Sequence, residues 1–265
     1  MYKILDAHCH IYPDKIAEKA AQATGSFYDI EMSMDGKVST LINEGEKAGF
    51  THFLVQSVAT TPKQVSSINK FIADCVEKSN GKMTGFGTMH PDSEDKESDF
   101  KELMELGLKG VKLHPDIQGF KIDDYRMLKI YELCEKYHIP VLMHCGDSRY
   151  DNSNPNRIVP IMDIYTNLIM IGAHFGGYSV WEDAVDKLAG YKNFYVDSSS
   201  SLFKISREEA RQYIDAYGVD RVLFGTDYPM WNPGEELERF MKIELSEDER
   251  QKILYDNAAK LLGIE

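Results

Sequence analysis

Eight short runs rich in apolar, β-branched and aromatic residues recur along the chain at intervals of about 30 residues, and this rhythm constrains the fold more than any single motif. They are KILDAH, THFLVQS from Thr51, MTGFGTM from Met83, KGVKLH from Lys109, IPVLMHC from Ile139, NLIMIGAH from Asn167, NFYVDSS from Asn193 and RVLFGTD from Arg221. Between them lie stretches with helical periodicity and polar faces, such as PKQVSSINKFIADCVEKSN, DYRMLKIYELCEKYH and SREEARQYIDAYG. Strands joined through helical crossovers run parallel. Eight such units in 265 residues favour an α/β fold of the closed (β/α)8 TIM-barrel type over an open doubly wound sheet. No linker or low-complexity segment interrupts the pattern, so residues 1–265 read as a single domain.

Two departures stand out. The first unit is long, with TGSFYDIEMSMDGK between His10 and Phe50, which predicts an extended first βα loop over the strand ends, a lid. LSEDERQKILYDNAAKLLG continues past the eighth helix and predicts an extra C-terminal helix, opened by a capping box of Ser246 and Glu249.

Composition narrows the partners. Lys and Arg number 30 against 43 Asp and Glu, a net charge of −13, which disfavours nucleic acid or an anionic membrane and points to a small-molecule substrate. Cys9, Cys75, Cys134 and Cys145 form no C-x-x-C pair, so reduced, buried thiols are expected. With no basic-then-apolar leader at MYKILDAHCH, a cytoplasmic protein is expected. The C-terminal helix and the long first loop are the contact elements of a homodimer, if one forms.

In a barrel the reacting groups come from the C-terminal ends of the strands. There the chain places His8 and His10 (strand one), Lys112 and His114 (four), His144 (five), His174 (six) and Asp227 (eight). In DAHCH the two histidines alternate, so they share a face, with Cys9 turned away. Singly, each histidine could cap a strand by bonding backbone. Five of the eight histidines on one rim, with a carboxylate in GTDYP, predict a metal site. His52 and His138 fall on the opposite rim and read as structural. His90, in TMHPD, either lines the pocket mouth or turns the chain before Pro91. No G-x-S-x-G, G-x-x-x-x-G-K-[ST] or G-x-G-x-x-G occurs, so serine hydrolase, P-loop and dinucleotide chemistry gain no support.

Taken in order, DAHCH, KLHPDIQGF, PVLMHCG, AHFGG and LFGTDYP resemble the amidohydrolase superfamily, and within it the branch related to aminocarboxymuconate-semialdehyde decarboxylase. The resemblance spans Asp6 to about Asn257 and implies a distorted barrel, one divalent metal, usually zinc, and a metal-activated water. It places His8, His10, His144 and Asp227 on the metal and His174 beside the water as catalytic base or electrostatic partner. Three imidazoles and a carboxylate suit zinc, whose bound water reaches a pKa of about 7. Asp227 or His174 would then hand a proton to the leaving group. Lys112 stays open: it carries a carboxylate and bridges a second metal as in other branches, or it pairs with a carboxylate such as Asp6, or with His114 it holds a substrate carboxylate. Arg149 is a further candidate for that carboxylate, as is Arg157, although loop arginines are more often solvated.

The leading expectation is therefore hydrolysis of a small-molecule amide, lactone or ester. The alternative is a lyase on the same ligands, a non-oxidative decarboxylase or hydratase of a small acid. A metal-holding binding protein without turnover is the reading from another class. A metal nuclease of the TatD type also opens on H-x-H, but it is expected to carry glutamate where this chain has Lys112.

Overall fold

The computed structural model describes residues 2–264. The chain forms two compact units, neither continuous in sequence: one takes the residues up to 56, then 75–84 and those from 198 onward, the other 57–74 and 85–197.

In the first unit, β1 (Leu5–His10) pairs in parallel with β2 (His52–Gln56), and β3 (Met83–Gly85) extends this sheet on the far side of β2. The other edge of β1 is covered by the segment that follows β9 (Val222–Leu223). Ala7 N–H donates to the Phe224 carbonyl, Asp227 N–H to the His8 carbonyl, and His10 N–H to the Tyr228 carbonyl. Glycine at position 225 permits this approach, because a Cβ there would stand 2.9 Å from the His8 Cβ. An apolar cluster of Phe50, Phe53, Phe224 and Phe240 backs the strands, with ring centroids 5.3–6.1 Å apart along the chain of contacts.

In the second unit, β4 (Gly87–Thr88), β5 (Val111–Leu113), β6 (Val141–Met143), β7 (Met170–Gly172) and β8 (Phe194–Asp197) lie side by side, all parallel. Their residues are almost all buried on both faces, as crossover helices on a parallel sheet require.

Every predicted strand is present, yet the third is broken. MTGFGTM splits at Phe86 into β3 and β4. The Phe86 ring occupies the space beside Gly110, 2.3 Å from where a Cβ there would sit. The extended first loop is shorter than expected. The helix Asp14–Tyr28 absorbs TGSFY, and only residues 29–37 remain irregular. They are tied down, with Ser33 N–H on the Met230 carbonyl and Met34 N–H on the Pro229 carbonyl. The C-terminal helix is confirmed from Glu247 to Leu262, with a π turn at Lys252–Asp256 and the Ser246–Glu249 capping box in place. Among the described residues no helix is long and apolar enough to cross a membrane.

Candidate active site

Among the described residues two groups of metal-ligand side chains are present, one in each unit, and each is built by strand ends. In the first unit the alternation of β1 puts His8 and His10 on one face with their Nε2 atoms 3.2 Å apart. Asp227 faces them, its Oδ1 3.3 Å from His8 Nε2 and 3.7 Å from His10 Nε2. Two imidazole nitrogens aimed at one point beside a carboxylate fit a divalent cation. The supporting contacts agree. His8 Nδ1 lies 3.1 Å from Ser199 Oγ, an acceptor for an Nδ1–H in the tautomer that a metal ligand needs, with the Nε2 lone pair turned inward. Ser200 Oγ donates to Asp227 Oδ2 at 2.5 Å and accepts from Trp231 Nε1 at 2.9 Å, which aims the carboxylate.

Asp227 has φ of 61°, in the left-handed region. A non-glycine residue there carries a conformational cost that its surroundings must enforce, and such residues concentrate at functional sites. Here the enforcement is the Asp227 N–H bond to the His8 carbonyl, which locks one candidate ligand to another.

Carboxylates gather around the cluster. Asp6 is fully buried and accepts from the backbone N–H of His8 and Thr226 and from the Thr226 hydroxyl, and burial pushes its pKa up to about 6 despite those donors. Glu236, in the helix Pro233–Phe240, is 1 % exposed and has its pKa raised to about 7. Burial outweighs the Arg239 guanidinium at Glu236 Oε1, and the charges of Asp227 and Asp6 push the same way.

A pH dependence follows for metal-free protein. A carboxyl whose folded pKa exceeds its unfolded value binds its proton more tightly when folded. Its stabilisation is full below about pH 4.5 and is lost as pH rises to about 7. The loss attributable to Glu236 is about 3 kcal/mol. Urea unfolding of the chelated protein between pH 4.5 and 8 is expected to show that decline, flattened by this amount in Glu236→Gln; an unchanged slope refutes the assignment.

The second unit holds His144, His174, His114 and Asp116. His144 Nδ1 is 3.0 Å from His174 Nε2, and the His114 and His144 rings stack at 3.9 Å. His144 Nε2 stands 3.7 Å from Asp116 Oδ2. Asp116 also accepts from the Ser153 hydroxyl, and burial raises its pKa to about 6. His114 Nδ1 accepts the Ile117 N–H. The neutral His114 ring therefore carries its proton on Nε2 and presents a donor, which suits an anionic substrate group better than a metal. His174 shares the left-handed conformation of Asp227, with φ of 61°, and its N–H is held by Asp197 Oδ1.

His8, His10 and Asp227 thus converge in one unit, while His144, His174, His114 and Lys112 belong to the other. Lys112 lies on β5, 1 % exposed. Arg149 forks onto Asp147 at 2.7–3.3 Å, and Arg157 onto Asp123 and Asp151, so both guanidinium groups face carboxylates of the chain itself. His90 Nδ1 accepts the Asp92 N–H and closes the turn over Pro91. His52 bonds Thr84 at 2.9 Å, the structural part expected of it. The sequence assigns no role to Asp116, Ser199, Ser200 or Glu236; the serine-rich run that ends NFYVDSS and continues to Ser201 is the one local signal for two of them.

The family model for amidohydrolases matches residues 5–264. The chain belongs to the amidohydrolase family. Among curated relatives in it, the chain is 25% identical to a 2-amino-3-carboxymuconate-6-semialdehyde decarboxylase of Dictyostelium discoideum over 75% of its own length and 66% of the relative's, just short of two thirds. It is 24% identical to a gamma-resorcylate decarboxylase of a Polaromonas species, over 74% of the chain and 75% of that protein. Among solved structures it resembles a TIM-barrel protein of Bordetella bronchiseptica (TM-score 0.82, 21% identity, 99% of both chains). It also resembles a Polaromonas dihydroxybenzoic acid decarboxylase with bound manganese and the inhibitor 2-nitroresorcinol (TM-score 0.78, 17% identity, 100% and 98% covered). The fold is accordingly the TIM-barrel type of this family. The expectation of a hydrolase is overturned, because both curated relatives are decarboxylases. Hydrolysis and decarboxylation call on the same ligands, so nothing in the ligand motifs could separate them.

Proposed function

We propose that this amidohydrolase-family enzyme is a metal-dependent, non-oxidative decarboxylase of a small carboxylic acid bearing an aromatic ring or conjugated unsaturation. The reading rests on the His8–His10–Asp227 cluster, a metal-type donor set in a chain whose curated relatives are decarboxylases. Bound there, a divalent cation would supply positive charge against which the acid's oxygens are held and negative charge in the breaking bond is stabilised. Zinc and manganese both accept this imidazole and carboxylate set.

The chain's residues do the rest. The bond between the substrate carbon and its carboxylate breaks, the electron pair stays on that carbon, carbon dioxide leaves, and one proton is added in its place. We assign the proton to His174, whose hydrogen bond with His144 requires one of the two rings to carry a proton between them. Lys112 and the Nε2–H of His114 are the groups we assign to the acid's oxygens, and Arg149, committed to Asp147, is the weaker candidate.

The test is a panel of hydroxybenzoates and unsaturated acids in water enriched in oxygen-18, with metal content measured by elemental analysis. Carbon dioxide released one for one with acid consumed, without label in the organic product, is the expected result. Acid consumed with label incorporated and no carbon dioxide overturns the reading.

A further inference from the structure

We propose that the side-chain amide of Gln56 is a substrate-recognition group, hydrogen-bonding the acid beside the His8–His10–Asp227 cluster. Gln56 is the last residue of β2, and its Cα is the register partner of that of His10. Register partners in a parallel pair project to the same side of the sheet. Alternation along β2 agrees: the Phe53 ring fills the space beside Gly45, 2.5 Å from where a Cβ there would be, so Phe53 and Val55 face the helix Val38–Lys47 and Gln56 faces the other way.

Gln56 is wholly buried, and among the described residues neither its Nε2 nor its Oε1 has a hydrogen-bond partner. A buried amide with both ends unmet costs stability, and folded proteins seldom keep one without a use. Leucine has nearly the same volume and would occupy the position without that cost. Gln118, a buried glutamine of the second unit, shows what a structural amide looks like. Its Nε2 donates to the Ala59 and Met89 carbonyls, and its Oε1 accepts from His114 N–H. Gln56 spends nothing on the scaffold and ends its strand next to His10.

A primary amide offers a donor beside an acceptor. It therefore suits a ligand presenting an acceptor beside a donor, such as a carboxylate oxygen next to a hydroxyl. The ligand's identity rests on the decarboxylase reading; the availability of the amide does not.

The experiment compares parent, Gln56→Leu and Gln56→Glu in the full chain, with 2,6-dihydroxybenzoate as probe. Unfolding midpoints are taken without metal, manganese content is measured after loading, and probe binding is followed by calorimetry alongside carbon dioxide release. In Gln56→Leu the midpoint is expected to hold or rise and manganese content to stay at the parent level, while probe affinity falls at least tenfold. Gln56→Glu, which sets a carboxylate against a carboxylate, is expected to bind more weakly still. A midpoint that drops in Gln56→Leu, or full probe affinity in that variant, overturns the proposal. If the parent neither binds nor decarboxylates the probe but the Gln56→Leu midpoint rises, the decarboxylase reading is what suffers, and an amide reserved for a ligand is upheld.

Discussion

Asp227→Ala, His8→Ala and His10→Ala are each expected to abolish turnover and to leave the purified chain without its metal, while the circular dichroism of the fold survives. The reason is geometric: the three donors lie within 4.8 Å of one another and none has a substitute in the first unit's cluster. Ser199→Ala grades the effect. It removes the partner of His8 Nδ1 but no ligand, so metal affinity should fall by about 10–100-fold without complete loss. Full metal occupancy in any two of the alanine variants defeats the ligand assignment. Metal content by mass spectrometry is the measurement, because activity alone does not separate lost metal from lost chemistry.

His174→Asn is expected to behave in the opposite way, keeping about one metal per chain and losing on the order of 10²-fold in kcat, the scale for removing a general acid or base. The His144–His174 hydrogen bond supports a proton-handling role rather than ligation. If carboxylated Lys112 bridges a second ion, His174→Asn should instead reduce the metal count from two to one, and Lys112→Ala should do the same. A variant that retains both metal and full rate returns His174 to a structural role.

Much of this was legible in the sequence. The strands were, because parallel strands buried on both faces are nearly uninterrupted apolar runs. The family was as well, because its motifs stand at strand ends in a fixed order. What escaped is whatever depends on which residues meet across long separations. Nothing local marks Gln56 as an amide without a partner when Gln118, the same residue type, is fully bonded. Glu236 reads as one more charge in PGEELERF, and only tertiary packing buries it. The left-handed backbone at His174 and Asp227 is likewise invisible, since neither residue is glycine.

The first unit closes on itself from both ends of the chain: β1 is covered by the segment after β9, and the Phe224 N–H in turn donates to the Ile253 carbonyl. This has a consequence for biosynthesis. His8 and His10 leave the ribosome early, yet Asp227 follows about 220 residues later, roughly 10 to 45 s at ~5–20 residues per second. Until then β1 has an open edge and its two histidines lack their carboxylate, so the cluster cannot assemble before Asp227 has been made. Capture of an ion by the complete cluster is thereby placed after synthesis of GTDYP, and a message truncated before it yields a chain with an unpaired first strand and no complete cluster, a natural target for chaperones and proteases.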